Sequence, residues 1–363
     1  MKIKLGEICH KETSGYAQKD LVNLNGEYPI YGASGYIKCI DSYHQENPYV
    51  AVVKDGAGVG RTMYLPGKSS VIGTLQYLIP EENIDPHYLY YLIRAKHLEK
   101  YYMGAAIPHI YFKDYKNENI PDYDFKKQLK IVSRLSRIEK IIDYKKQQIE
   151  QLDNLIKARF VEAFGDPIKN DKVWPVCSVE NLCVDIYGGG TPSKSHPEYY
   201  ENGDIPWISS KDMKTEILYD SQIHINALGV ENSTARIVPI NSIIMVIRSG
   251  ILKHTLPVAI NAVPVTVNQD LKVFIPGNQI DPRFMAIQFK LIEKDILSGV
   301  RAVTADNIEF NSLKQRKLIV PDLELQKRFV LFVKQIDKSK VAIQKSLDET
   351  QLLFDSLLQK YFG

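Results

Sequence analysis

Two stretches of this chain repeat each other about 200 residues apart, and a repeat of that length constrains the architecture before any single element is considered. Leu78-Ile79-Pro80 followed by Ile84-Asp85-Pro86-His87-Tyr88 returns 196 residues later as Phe274-Ile275-Pro276 followed by Ile280-Asp281-Pro282-Arg283-Phe284. Ile120-Pro121-Asp122 returns as Val320-Pro321-Asp322, and Gln128, Lys130 and Ile131 return 198 residues later as Gln326, Arg328 and Phe329. Phe164-Gly165 returns as Phe362-Gly363. The order is A-B-A′-B′, with boundaries expected at 1–122, 123–165, 166–322 and 323–363.

The B segments read as long helices, because their apolar residues recur in alternating steps of four and three. In the first the stripe is Ile131, Leu135, Ile138, Ile142, Ile149, Leu152 and Ile156, interrupted by Lys145. In the second it is Phe329, Val333, Ile336, Ile343, Leu347, Phe354 and Leu357, interrupted by Lys340 and Thr350. Asp122 and Asp322 follow prolines as expected N-terminal caps, and Gly165 with Pro167 beyond it is a stop signal. Helices of this length, roughly 55 Å at about 1.5 Å per residue, must cover their apolar stripe. Matching length and register make the other repeat the expected partner, in an antiparallel coiled coil; separate helices, each on its own domain, are the alternative.

The A segments carry short β-rich runs, Tyr49 to Lys54, Ser242 to Arg248 and Pro264 to Val267, then one helix starting near Pro86 or Pro282. The expected fold is α+β: two mixed α/β domains separated by two long helices, with a pseudo-twofold repeat. At 44% apolar and 25% charged residues the chain has the composition of a soluble globular protein. Cys9, Cys39, Cys177 and Cys183 form no CxxC pair, which argues against a disulfide framework or structural zinc and fits a reducing cytoplasm. Ile243 to Ile247 is too short to span a bilayer, and Met1-Lys2-Ile3-Lys4 lacks a signal-peptide apolar core. Charge alternates along the chain: −2 over 1–124, +5 over 125–163, −2 over 164–322 and +2 over 323–363.

Catalytic patterns are missing. The eight histidines include no HExxH, so no metal is expected. Gly67-Lys68-Ser69 lacks the upstream glycine of a P-loop, and Asp55-Gly56-Ala57-Gly58-Val59-Gly60 fails dinucleotide-loop spacing. Asn47-Pro48-Tyr49 has one proline where a methyltransferase loop needs two, and Pro321-Asp322 belongs to a helix start rather than a nuclease motif.

What remains are loops mixing small, amide, aromatic and basic residues, the types that approach phosphates and read base edges. Taken singly, glycine-rich turns are mostly just turns, and Trp207 reads as core; their recurrence in both A segments is the signal. The candidate DNA-contacting side chains in the first are Tyr31, Ser34, Lys38, Lys54, Arg61 and His109, the last beside Gly104-Ala105-Ala106-Ile107-Pro108. In the second they are Thr191, Ser193, Lys194, Ser209, Lys211, Arg248, Lys253, Asn268, Gln269, Arg301 and Thr304.

Gly189-Gly190-Thr191-Pro192-Ser193, with Pro197-Glu198-Tyr199-Tyr200 and Gly203-Asp204-Ile205-Pro206-Trp207-Ile208 downstream, resembles a recognition domain of the specificity subunit of Type I restriction-modification systems. Tyr28-Pro29-Ile30-Tyr31-Gly32-Ala33-Ser34-Gly35 with Asp55-Gly56 resembles another type of that domain, and the resemblance covers essentially the whole chain. Pro321 to Gln326 matches the family's run into its repeated helix, while Pro121 to Gln128 carries two extra residues. The resemblance implies a non-catalytic subunit with two target-recognition domains reading a two-part double-stranded DNA site. It implies two methyltransferase subunits, which bring S-adenosylmethionine, and a restriction subunit as partners, in the cytoplasm and without a membrane. A coiled-coil adaptor without DNA recognition would also explain the repeat, and a stand-alone modification enzyme is the third reading.

Overall fold

The computed structural model of the chain describes residues 2–56, 58–103, 108–299, 301–302 and 306–363, leaving aside the side chains of Arg301, Ala302 and Asp306. It forms two compact units, Met1–Gln148 with Ala342–Gly363, and Ile149–Val341. The division runs through both long helices, so each unit holds one mixed domain, the first part of the helix next to it in the chain and the last part of the other.

In the first unit an antiparallel sheet has the spatial order Cys9–Thr13, Leu75–Pro80, Tyr49–Val53, Thr62–Leu65. Every residue of Tyr49–Val53 is buried, as suits a strand covered on both faces. Tyr49, Ala51 and Val53 share a core with Ile30, Ile40 and Val71 from a smaller sheet of Gly35–Ile40, Tyr28–Gly32 and Ser70–Val71. The helix Pro86–Ala95 packs against Tyr49–Val53 and Thr62–Leu65. In the second unit the order Cys183–Gly188, Leu271–Pro276, Ile243–Val246, Val258–Asn261 repeats this sheet, extended by Ile217–Leu218. Its smaller sheet is His224–Ile225, Ile205–Ile208 and Thr266–Val267, and the helix Pro282–Leu291 packs on Val258–Asn261. Each domain closes on a two-stranded ribbon, Lys2–Lys4 with Asn119–Pro121 and Val176–Ser178 with Lys317–Ile319. The two domains therefore share a frame.

The long helices are Phe125–Phe164 and Leu323–Phe362, each of 40 residues. Asp322 stands at the cap position of the second, its carbonyl accepting from the amides of Leu325 and Gln326. In the first the cap is Asp124 rather than Asp122: its carboxylate accepts from the Lys127 amide at 2.7 Å. The two extra residues after Pro121 shift the helix start and leave the register of the apolar stripe unchanged. Gly165, at φ +78°, ends the first helix in the left-handed conformation that glycine adopts without strain.

Of the expected seam, Ile131, Leu135, Ile142, Ile156, Phe329, Val333, Leu347 and Phe354 are buried, while Ile138, Ile149, Leu152, Ile336, Ile343 and Leu357 are half-buried. The pairing is antiparallel in both units. In the first, Arg134 donates to the Tyr361 hydroxyl at 3.0 Å and Lys145 to the Thr350 hydroxyl at 2.9 Å; in the second, Lys340 reaches the Asp153 carboxylate at 2.5 Å. Rising numbers on one helix meet falling numbers on the other. Lys145 also donates to the carbonyl of Ser346, so the polar seam residues bond within the seam rather than extending into water.

Each helix ends in aromatic packing, to which Phe160, Phe164 and Phe362 add rings that the stripe did not include. Phe160 and Phe164 lie 5.3 and 5.0 Å from Phe284, and 5.5 and 5.6 Å from Phe329. In the first unit Phe362 meets Tyr88 at 5.4 Å and Phe354 meets Tyr91 at 6.1 Å.

Two buried amides tie each domain to its own helix. Gln128 Oε1 accepts from the Asp85 amide at 3.0 Å, and its Nε2 donates to the carbonyls of Asn83 and Tyr123. Gln326 Oε1 accepts from the Asp281 amide at 2.9 Å, and its Nε2 donates to those of Gln279 and Pro321. Asp85 and Asp281 are the caps of the short helices Pro86–Ala95 and Pro282–Leu291. Replacing Gln326 by Leu leaves the half-buried Asp281 amide and two carbonyls without this partner, and is expected to cost about 1–3 kcal/mol, read as a lower denaturation midpoint.

His87 lies flat between Tyr64 and Tyr91, with centroids 3.9 and 5.6 Å away and planes within 6°. Burial holds its imidazole below the ordinary histidine value, against the weaker opposing pull of Asp85 and Glu139. The unfolded chain then binds the proton more readily, so this residue withdraws stability as pH falls through about 6.5. His87→Phe is expected to lose less melting temperature between about pH 7 and pH 5 than the parent chain.

Candidate nucleic-acid interface

In the first unit three backbone segments converge. Arg61 Nη1 donates to the Ala33 carbonyl at 2.9 Å, joining the turn before strand Thr62–Leu65 to the hairpin tip where Ser34 is exposed. The Gly56 amide donates to Pro108, the Ile110 amide to Lys54, and the Asp55 carboxylate pairs with the His109 ring. Lys54 lies 3.7 Å from Asp55. Arg61, Ser34, Lys54 and His109 thus occupy one surface, with Tyr31 half-buried beneath the hairpin against Tyr36. Burial, with a smaller contribution from Cys39, lifts the Tyr31 phenol above its ordinary value, which keeps it a neutral donor. Lys38 is engaged in the fold instead: its ammonium donates to the Leu21 carbonyl at 3.0 Å and to Asn25. Exposed apolar groups surround the patch. Tyr36, Met103 and Tyr111 are each about half or more exposed, and Tyr111 meets the His109 ring at 4.1 Å. Sequence reading passed over Met103 and Tyr111, although both flank His109 in the chain.

In the second unit the glycine run is required by close approach. The Gly190 amide donates to the Val267 carbonyl at 2.9 Å; a Cβ on Gly189 would lie 2.0 Å from that oxygen, and one on Gly190 2.3 Å from the Ala235 nitrogen. Trp207 is core, its indole donating to Gly190 at 2.9 Å. The threaded loop delivers Thr191 to Gln269, with which its hydroxyl bonds, and exposes Ser193 and Lys194. The Asn268 amide donates to Ile208, placing Asn268 beside the Ser209 turn, where Asp212 accepts from Ser209 and Lys211 is exposed.

Asp270 organises the rest. Its carboxylate accepts from Nε of Arg248 at 2.7 Å and pairs with Nη2 at the same distance, holding the guanidinium fork in one orientation, and it accepts from Asn268 at 3.4 Å. The Arg248 backbone bridges Asn307, and the turn Gly250–Lys253 packs against Asp306–Asn307. Arg301 lies in the strand Arg301–Ala302, which pairs with Asp306–Asn307; its side chain, with Thr304, Ala57 and 104–107, lies outside the described residues. Asp270 and Asn307 were missed from sequence, although Asp270 is the next residue after Gln269.

The first patch offers hydroxyl, imidazole, ammonium and guanidinium groups and the second hydroxyl, amide and guanidinium groups, sets suited to reading base edges and phosphates. Residues 1–154 and 174–350 match the family described as Type I restriction modification DNA specificity domain. The chain belongs to that family. Among curated relatives of this specificity family, the chain is 37% identical over 163 residues to the specificity subunit of the Type I restriction enzyme EcoR124I/EcoR124II of Escherichia coli. That match covers 44% of this chain and 40% of the relative, less than half of its length. It is 24% identical over 306 residues to the MjaIX specificity subunit of Methanocaldococcus jannaschii, covering 78% of this chain and 69% of that one. Its fold is similar to the S subunit of a Type I restriction-modification system from M. genitalium, at TM-score 0.60 and 15% identity, covering 100% and 96% of the two chains. A second solved chain, from a type I R-M system studied for complex assembly and conformational transition, gives TM-score 0.55 at 15% identity, covering 99% and 97%.

The described residues hold no cluster of three or more His, Cys, Asp or Glu placed to bind a metal, and no helix long and apolar enough to cross a membrane. Gly190→Ala is expected to cost about 1–3 kcal/mol by overpacking. Gly250→Ala, whose added carbon meets open space, should leave the denaturation midpoint unchanged.

Proposed function

We propose that this chain is the DNA sequence-recognition subunit of a Type I restriction-modification complex. Domains 1–122 and 166–322 each read one part of an asymmetric, two-part duplex target. Segments 123–165 and 323–363 carry two methyltransferase subunits, which supply the S-adenosylmethionine chemistry, and a restriction subunit, in the cytoplasm; the chain itself contributes no catalytic group. The observation that carries this reading is one sheet order bearing two unlike polar surfaces. Arg61 and His109 lie among exposed aromatics in the first domain, and Arg248, Gln269 and Thr191 cluster in the second beside the buried Asn268. A shared frame with divergent loops is what two different half-sites demand.

The fixed fork of Arg248 matches the two acceptors of a guanine edge, whereas exposed Lys194 and Lys211 suit phosphates. The two domains carry no net positive charge between them, so the methyltransferases supply much of the phosphate clamp, and the isolated subunit binds DNA weakly. The experiment is co-expression with the methyltransferase and genome-wide mapping of methylated bases, then repetition with one domain exchanged. A two-part motif in which the exchange alters one half supports the reading; a palindrome, a change in both halves, or no sequence preference, as the adaptor reading requires, refutes it. Arg248→Ala is expected to cost about 1–3 kcal/mol of affinity and relax one base position, while Lys211→Ala weakens all sequences alike and lowers the salt slope by about one.

A further inference from the structure

The polar residues of the helical seam occupy positions that the two repeats do not share. At the 198-residue offset, Ile142, Lys145, Gln148, Leu152 and Asp153 correspond to Lys340, Ile343, Ser346, Thr350 and Gln351. Lys145 bonds the Ser346 carbonyl and the Thr350 hydroxyl, each at 2.9 Å, and Lys340 bonds Asp153 at 2.5 Å. The apolar remainder of the seam is interchangeable, while Arg134 and Tyr361, which also bond across the helices, correspond to Phe332 and Ala163 and so differ too. Phe164 and Phe362 are equivalent, and they meet the equivalent residues Phe284 and Tyr88. A first helix facing a copy of itself in this register would place Lys145 against Gln148 and Leu152, and the Asp153 carboxylate against Ile142. A second helix facing its copy would place Lys340 against Gln351, and the hydroxyls of Ser346 and Thr350 against Ile343. Like-with-like pairing thus keeps the apolar contacts and strands the polar ones.

We infer that these residues form a pairing code, which directs each long helix to the other repeat and against the same repeat of a second copy. On the function proposed above, this places one of each reading domain in every assembly, although the code itself does not depend on DNA. The test uses the intact chain. Giving the second helix the first helix's residues (Lys340→Ile, Ile343→Lys, Ser346→Gln, Thr350→Leu, Gln351→Asp) recreates like-with-like facing within one chain. It should lower the melting temperature by on the order of 5 °C. The reciprocal set on the first helix (Ile142→Lys, Lys145→Ile, Gln148→Ser, Leu152→Thr, Asp153→Gln) should do the same. Both sets together rebuild the three seam bonds with the partners exchanged, and should raise the melting temperature above that of either single-helix variant. Single-helix variants as stable as the parent, or a double exchange no more stable than either, would overturn the code. A single-helix variant that fails to fold leaves the double exchange to decide.

Discussion

Gln128 and Gln326 fix the junction between each domain and the long helix that continues from it. Each side chain accepts from the cap residue of the domain's short helix and donates to two carbonyls, one before that cap and one at the start of the long helix. Three backbone groups from two elements are satisfied by one buried amide, so the long helix cannot change direction without leaving polar groups unpaired. Everything further along the helix inherits its starting orientation from this point.

The far ends are held differently. Phe160 and Phe164 close on Phe284 and Phe329 in the second unit, and Phe354 and Phe362 on Tyr91 and Tyr88 in the first, so each domain is fixed to one helix by polar bonds and to another by aromatic packing. The amide tolerates little angular error and the rings tolerate more. Direction is set at the start of each helix and burial is supplied at its end.

The helices and their seam were legible in the sequence because apolar residues recur in steps of four and three over 131–156 and 329–357, and the antiparallel pairing because the two stripes match in length and register. The capping residue of the first helix was misplaced by two because Asp122 and Asp124 both come after Pro121 and only the backbone distinguishes them. Phe160 and Phe362 escaped the stripe because they pack on domain residues rather than on the seam alone. At the candidate interface, Arg61, His109, Gln269 and Arg248 were visible as residue types in small-residue loops. Asp270 was not, since an acidic residue reads as unfavourable for DNA until its geometry shows that it holds Arg248. Lys38 shows the other role of a loop lysine, closing its loop by bonding Leu21 and Asn25. Propensity cannot separate a lysine that greets phosphate from one that satisfies a carbonyl.

The two domains also meet their helices through a charge pair whose acid stays in place while its cation moves. Glu139 and Asp337 are equivalent at the 198-residue offset; Glu139 holds Arg94 at 2.6 Å, whereas Asp337 holds Arg283 at 3.0 Å. Arg283 corresponds to His87, seven residues before Arg94 on the short helix, and two helical turns keep both positions on one face. Arg283 also serves Glu216 at 2.5 Å. Burial raises both carboxyls, but the guanidinium prevails at Glu216, whereas Asp337 remains above its ordinary value, with the Glu216 charge adding to burial. A domain grafted onto either helix must therefore bring its own cation at one of these two positions, or leave a half-buried carboxylate without its partner. The frame is common to the two repeats, but the charge that seats each domain belongs to the domain, so the surfaces can diverge only while that cation is retained.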